Sequence, residues 1–254
     1  MTTFKPLALA ASLAAGLTCL AAPASADLWH SEQVLGRSIT FYSPPALDRQ
    51  PIAPLVLVFD DTAASGGALA ERFALWHYAK EAGFKTVFAG NIVPGAKGNG
   101  VPSNDALFPM SIEMSLQTGH ADPENLYVVG FGAAAQRAYD FACQAPGVLR
   151  GIVAIDHDGA GEEGFACDDT GDLLVLSVHD GVPAVAGKAG GGASRDTEAV
   201  DAVLDTLRNA GATVQSVVVE GNDAAFPSIA AKLHEQTGIS LEKLVATFVD
   251  KTMK

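Results

Sequence analysis

Leu126-Tyr127-Val128-Val129-Gly130-Phe131-Gly132-Ala133-Ala134 is the stretch that decides the fold. Four apolar residues run without alternation, the pattern of a strand buried on both faces. Small residues then form a turn, and Ala135-Gln136-Arg137 opens a helix-forming stretch. A buried strand feeding a helix through so tight a turn is a building unit of a parallel sheet. Gly132 stands at the tip of that turn, where a side chain would be exposed, and glycine has none.

The same alternation continues on either side. Arg37 to Tyr42 reads as an entry strand, followed by a Pro-rich polar turn from Ser43 to Pro54 and a continuous apolar strand from Leu55 to Phe59. Asp60 to Gly67 is a loop. Ala68 to Ala82 has helical spacing, with Leu69, Phe73, Trp76 and Ala79 on one face, and Gly83 ends it. Phe84 to Ala89 is a strand, Gly90 to Asn104 a long loop and Leu107 to Gln117 a helix. Asp122-Pro123-Glu124 turns the chain into the Leu126–Val129 strand.

Beyond the opening motif, Ala133 to Gln144 is predicted helical, and Gly151 to Ile155 and Leu173 to Val178 are strands. Thr197 to Asn209 is a helix with Val200, Val203, Leu204 and Leu207 inward. Thr213 to Val219 is the last strand and Leu241 to Val249 the closing helix. Strands alternating with helices predict an α/β fold, one domain over residues 27–254, with a mainly parallel sheet covered by helices on both faces. No repeat or linker marks a second domain. Gly187 to Ala193 and Gly95 to Gly100 lack the spacing of a phosphate-binding loop.

Residues 1–26 read as a signal peptide. Lys5 is the basic start, Leu7 to Ala22 the apolar run, and Ala24-Ser25-Ala26 the small-x-small cleavage site. The run is 16 residues long, short for a membrane span, and Gly16-Leu17-Thr18 before Cys19 makes a poor lipoprotein signal. The expected product is periplasmic or secreted, with no membrane span. Net charge is -13, or -14 without Lys5, which argues against nucleic acid and anionic membranes as partners. Cys143 and Cys167 remain after the leader, and two cysteines in an oxidising compartment are most simply one disulfide.

From about residue 34 to 250 the chain resembles the secreted α/β-hydrolases of the poly(3-hydroxybutyrate) depolymerase and feruloyl esterase type. Their R-x-Y strand corresponds to Arg37–Tyr42, and their P-L-V-V-x-L-H-G to Pro54–Asp61. Their A-x-x-x-G-F-x-V-x-x-P strand corresponds to Ala79–Gly90, and D-P-x-R-V-Y-V-x-G-x-S-x-G-G to Asp122–Ala134. Their A-C-x-x-P corresponds to Ala142–Pro146, whose cysteine the family often pairs with one placed like Cys167. The resemblance implies the α/β-hydrolase fold.

The family's catalytic groups are not carried over. Gly132 stands where G-x-S-x-G places the nucleophilic serine. The acid loop H-G-x-x-D-x-x-V-P is shortened to His179-Asp180-Gly181-Val182-Pro183, which leaves Asp180 displaced. The G-G-H-x-W-P loop corresponds to Glu220–Pro227, where Asn222 and Asp223 stand and histidine is missing. The oxyanion segment H-G corresponds to Asp60-Asp61, and carboxylates there would repel a developing oxyanion rather than stabilise it. Serine and histidine work as a unit in acyl transfer. No catalytic set is therefore intact, with Gly132, Asp180 and Asp223 as degenerate positions. Glycine also relieves the backbone strain of the turn, which costs other residues roughly 1–3 kcal/mol.

At the carboxyl edge of such a sheet, where ligands bind, the candidate cleft residues are Asp60, Asp61, Phe131, Gly132, Ala133, His157, His179, Asn222 and Asp223. No cofactor is expected. A divalent cation could be held by some of Asp61, Asp156, His157, Asp158, His179 and Asp223, or these could be solvated loop residues and helix caps. The expected function is non-catalytic binding of a small molecule, a polymer fragment or an envelope protein. The alternatives are an active carboxylic-ester hydrolase or a metal-dependent hydrolase using non-standard residues.

Overall fold

A computed structural model describes residues 28–34, 37–47, 52–60, 62–90, 104–118, 121–157, 165–180, 197–219 and 226–253. The elements in chain order are β1 (Leu28–Val34), β2 (Arg37–Ser43), β3 (Ala53–Asp60), α1 (Gly66–Arg72), α2 (Trp76–Ala82), β4 (Lys85–Gly90), α3 (Asn104–Thr118) and β5 (Ala121–Phe131). They continue with α4 (Ala133–Gln144), β6 (Gly151–Ile155), β7 (Leu174–Asp180), α5 (Thr197–Asn209), β8 (Thr213–Val219), α6 (Phe226–Thr237) and α7 (Leu241–Thr252).

Continuous apolar strands need cover on both faces, and the sheet receives it. Its order is β1-β2-β4-β3-β5-β6-β7-β8, parallel from β4 to β8, with β1 and β2 added antiparallel. Along β3, Leu55, Leu57 and Phe59 enter one core with α3, α4 and α5. Val56 and Val58 enter the other, with α1, α2, α6 and α7. Each fully buried Leu, Val or Phe contributes roughly 1.5–3 kcal/mol. The single α/β domain expected from the alternation of elements is what the described residues form.

Three local differences have physical causes. The helix expected over residues 68–82 is broken into α1 and α2 around Phe73-Ala74-Leu75. Positions two apart on an unbroken helix point about 200° from each other, yet Phe73 and Leu75 are both wholly buried in the same core. The break lets both in. The expected turn at Asp122–Glu124 lies inside the longer β5, where pairing with β3 jumps from Ala121 to Leu126. Asp122 holds that irregularity by accepting hydrogen bonds from the Glu124 N–H (3.0 Å) and the Asn125 Nδ2 (2.7 Å). The elements β1 and α6 were not expected. In β1 polar residues follow Trp29, and α6 carries Pro227 in its first turn.

Cys143, in the last turn of α4, is disulfide-bonded to Cys167, as the pair of cysteines implied, with Cα atoms 5.2 Å apart. Closing that loop contributes on the order of 3 kcal/mol. The predicted leader, residues 1–26, lies outside the described residues. Among those, no helix is long and apolar enough to cross a membrane.

Candidate functional site

The turn from β5 to α4 depends on two glycines for different reasons. At Gly130 an added Cβ would lie 2.6 Å from the backbone of Ala135, so strand and helix could not meet this closely with any side chain present. Gly132 has φ 55° and ψ -122°, a conformation that side-chain-bearing residues adopt only at a cost. Its N–H donates to the Ile155 carbonyl (2.9 Å), and its own carbonyl accepts from Ala135 N–H (3.1 Å). Among the described residues, the nearest atom to a Cβ at Gly132 would be the Asp156 carbonyl oxygen, at 4.0 Å. The strained elbow is thus built in full around a residue with nothing to present.

The neighbouring strand ends bring together a buried polar group. Asp156, after β6, has a φ of 59°, uncommon for a residue with a side chain, and its N–H donates to the Val178 carbonyl (2.9 Å). His157 is buried edge-on to the Tyr139 ring of α4, with centroids 5.2 Å apart. On β7, Ser177 and His179 point to one face, two residues apart, and share a hydrogen bond of 3.0 Å between Oγ and Nδ1. The Tyr139 hydroxyl lies beside Ser177 without a well-formed hydrogen bond, and burial pushes its pKa up.

Burial pulls the His179 pKa below its ordinary 6.5, against the opposing pull of Asp201 and Asp180. The residue is 2% exposed and, among the described residues, its Nε2 has no hydrogen-bond partner, an environment that favours the neutral imidazole. Because the folded pKa is the lower one, the unfolded chain binds the extra proton first as pH falls. Stability from this residue is intact above about 6.5 and declines as pH drops towards the folded value. His179→Gln is therefore expected to lose less melting temperature than the parent between pH 7.5 and 5.5. Equal losses in thermal melts would rule out a buried neutral imidazole.

Asp60 behaves differently from its sequence expectation. It is 2% exposed, and the far oxygen of its carboxylate is ion-paired with Arg72 of α1. The other oxygen accepts from the Thr62 N–H (2.6 Å) and the Thr62 hydroxyl (2.7 Å), and Arg72 also donates to the Thr62 hydroxyl (3.3 Å). This is not a bare charge awaiting an oxyanion. It is a neutralised clamp tying the end of β3 to α1.

Among the other expected cleft residues, Phe131 turns into the core, 5% exposed and edge-on to Phe73 at 5.2 Å. Ala133 is exposed at the start of α4, and Asp180 is half-buried at the end of β7. Asp61, Asp158, Asn222 and Asp223 lie outside the described residues. Among the described residues, no group of three His, Cys, Asp or Glu side chains is placed to hold a metal ion.

No protein-family model matches the chain, and no curated protein sequence matches it. Solved structures do. Carboxyl esterase 2 of the mycorrhizal fungus Tuber melanosporum aligns with a TM-score of 0.61 over 90% of this chain and 87% of its own, at 15% identity. The S-formylglutathione hydrolase of Agrobacterium tumefaciens aligns at 0.58 over 90% and 95%, at 12% identity. The chain has the α/β-hydrolase fold. A thermostable carboxylesterase cloned from a metagenomic library aligns with this α/β-hydrolase domain at 0.60 over 90% and 89%, at 11% identity. Such identities establish the fold alone.

Sequence reasoning missed three residues that complete these clusters. A carboxylate ending a buried strand requires a partner, but nothing local in the sequence singles out Arg72, which sits on another element. Tyr139 was hidden as one more inward position of α4. Ser177 was missed as well, because a strand expected to end at Val178 leaves His179 outside it and hides that the two share a face.

Proposed function

We propose that this is an exported α/β-hydrolase-fold protein that binds ligand at the old catalytic edge and does not transfer acyl groups. The supporting observation is Gly132: the elbow conformation is kept, and the residue at its tip has no nucleophile to present. A protein descended from secreted depolymerases or feruloyl esterases would take a polyester or polysaccharide fragment there, or a small molecule of that kind. The export reading rests on the Lys5–Ala26 leader pattern and fits the Cys143–Cys167 disulfide.

A second reading, an ester hydrolase using other residues, is favoured by the likeness to carboxylesterases and S-formylglutathione hydrolase. The two are separated by assaying highly purified protein on short-chain p-nitrophenyl esters together with fluorophosphonate labelling. The expected result is no turnover above the uncatalysed rate and no label. Hydrolysis that co-purifies with the protein and falls in a His179→Gln variant would establish the second reading instead.

A further inference from the structure

The two outer strands of the sheet differ in a way that the ligand-binding reading does not use. At one edge, β1 carries Glu32 beside His30, their side chains 2.6 Å apart and both exposed. A charge on an edge strand discourages another strand from adding to it. At the other edge, β8 reads Thr213-Val214-Gln215-Ser216-Val217-Val218-Val219, with no charge, proline or glycine. Most of its side chains are exposed, Val218 to 52%. Among the described residues it pairs with β7 alone.

The hydrogen-bonding phase of β8 is fixed by one contact. The Thr213 N–H donates to the Leu173 carbonyl at 2.9 Å, so the odd-numbered residues direct their N–H and C=O groups to β7. Val214, Ser216 and Val218 then direct theirs outward. These three residues also share a face of the sheet, since side chains alternate along a strand. The outward series is Val-Ser-Val, which reads the same in both directions.

We propose that β8 is a self-association edge through which two copies of this chain pair antiparallel about a two-fold axis at Ser216, making one continuous sheet. Ser216 then lies opposite Ser216 of the second copy, and Val214 opposite Val218. All three are hydrogen-bonded pairs, each exchanging two backbone bonds. An isologous contact brings every residue near the axis against itself or a close neighbour, so a charge there would face its own copy. The chain carries a net charge of -13, yet the strand that must sit on the axis is neutral throughout. The palindrome is what singles out a second copy over an unrelated extended peptide.

The test is light-scattering mass of the purified chain after gel filtration at micromolar concentration, with two variants. Wild type is expected at twice the monomer mass. Ser216→Glu, which places two carboxylates face to face, is expected at the monomer mass with an unchanged circular dichroism spectrum. Ser216→Cys, treated with oxidised glutathione, is expected to form a covalent dimer, whereas Thr213→Cys at the strand's end does not. A monomeric wild type overturns the proposal, as does a dimer that survives Ser216→Glu, or pairing of β8 only with an added foreign peptide. None of these readouts depends on the ligand, so failure here is distinguishable from failure of the binding reading.

Discussion

Replacing Arg72 with alanine is expected to lower the unfolding free energy by about 3 kcal/mol, because it strands a buried carboxylate. Asp60 sits at the end of β3 with its side chain 3% exposed, whereas that of Arg72 is 32% exposed. The two halves of the pair are therefore unequal. Without Arg72, Asp60 retains, among the described residues, only Thr62 as a partner on one oxygen, and water cannot reach it without opening the junction of β3 and α1. Without Asp60, the guanidinium can still turn towards solvent. Asp60→Asn is accordingly expected to cost less, about 1 kcal/mol, the loss of one charge-assisted interaction. Urea unfolding of both variants and of the double variant decides it. Equal and small costs would mean that the pair behaves as an ordinary surface ion pair, worth at most about 1 kcal/mol.

The second large effect separates the two glycines of the elbow. Gly130→Ala is expected to cost about 3 kcal/mol or more, because the new methyl would overlap the backbone of Ala135 at 2.6 Å and overpacking of a rigid core is severely resisted. Neither side can yield easily: β5 is hydrogen-bonded on both edges and α4 packs into the core. Among the described residues Gly132→Ala meets no atom closer than 4.0 Å, so its expected cost is backbone strain, roughly 1–3 kcal/mol. Gly130→Ala should therefore melt well below Gly132→Ala. The reverse order in calorimetry would show that space, not conformation, limits the tip of the turn.

How far the fold could be read in advance depended on where the information lay. The bounds of α4, β6, α5 and β8 match those expected from the sequence, since each is set by local signals: apolar periodicity, flanking turns and length. The break between α1 and α2 was not legible, because a helical face through Leu69, Phe73, Trp76 and Ala79 is locally self-consistent. Only the core's demand for Leu75 as well as Phe73 breaks it. Within the site, Gly132 was legible because the surrounding motif is short and contiguous. The role of Asp60 was misread because the charge that answers it comes from α1, and ion pairing is a tertiary property. Tyr139, His157 and Ser177 meet only when three separate elements are assembled.

The link between Cys143 and Cys167 has a consequence beyond folding. It turns the chain between these residues into a covalent ring spanning the end of α4, all of β6 and the approach to β7. A protease that cuts once inside that ring produces two polypeptides that stay fastened together. A nick there would leave the particle in one piece, and only a reductant would reveal the injury.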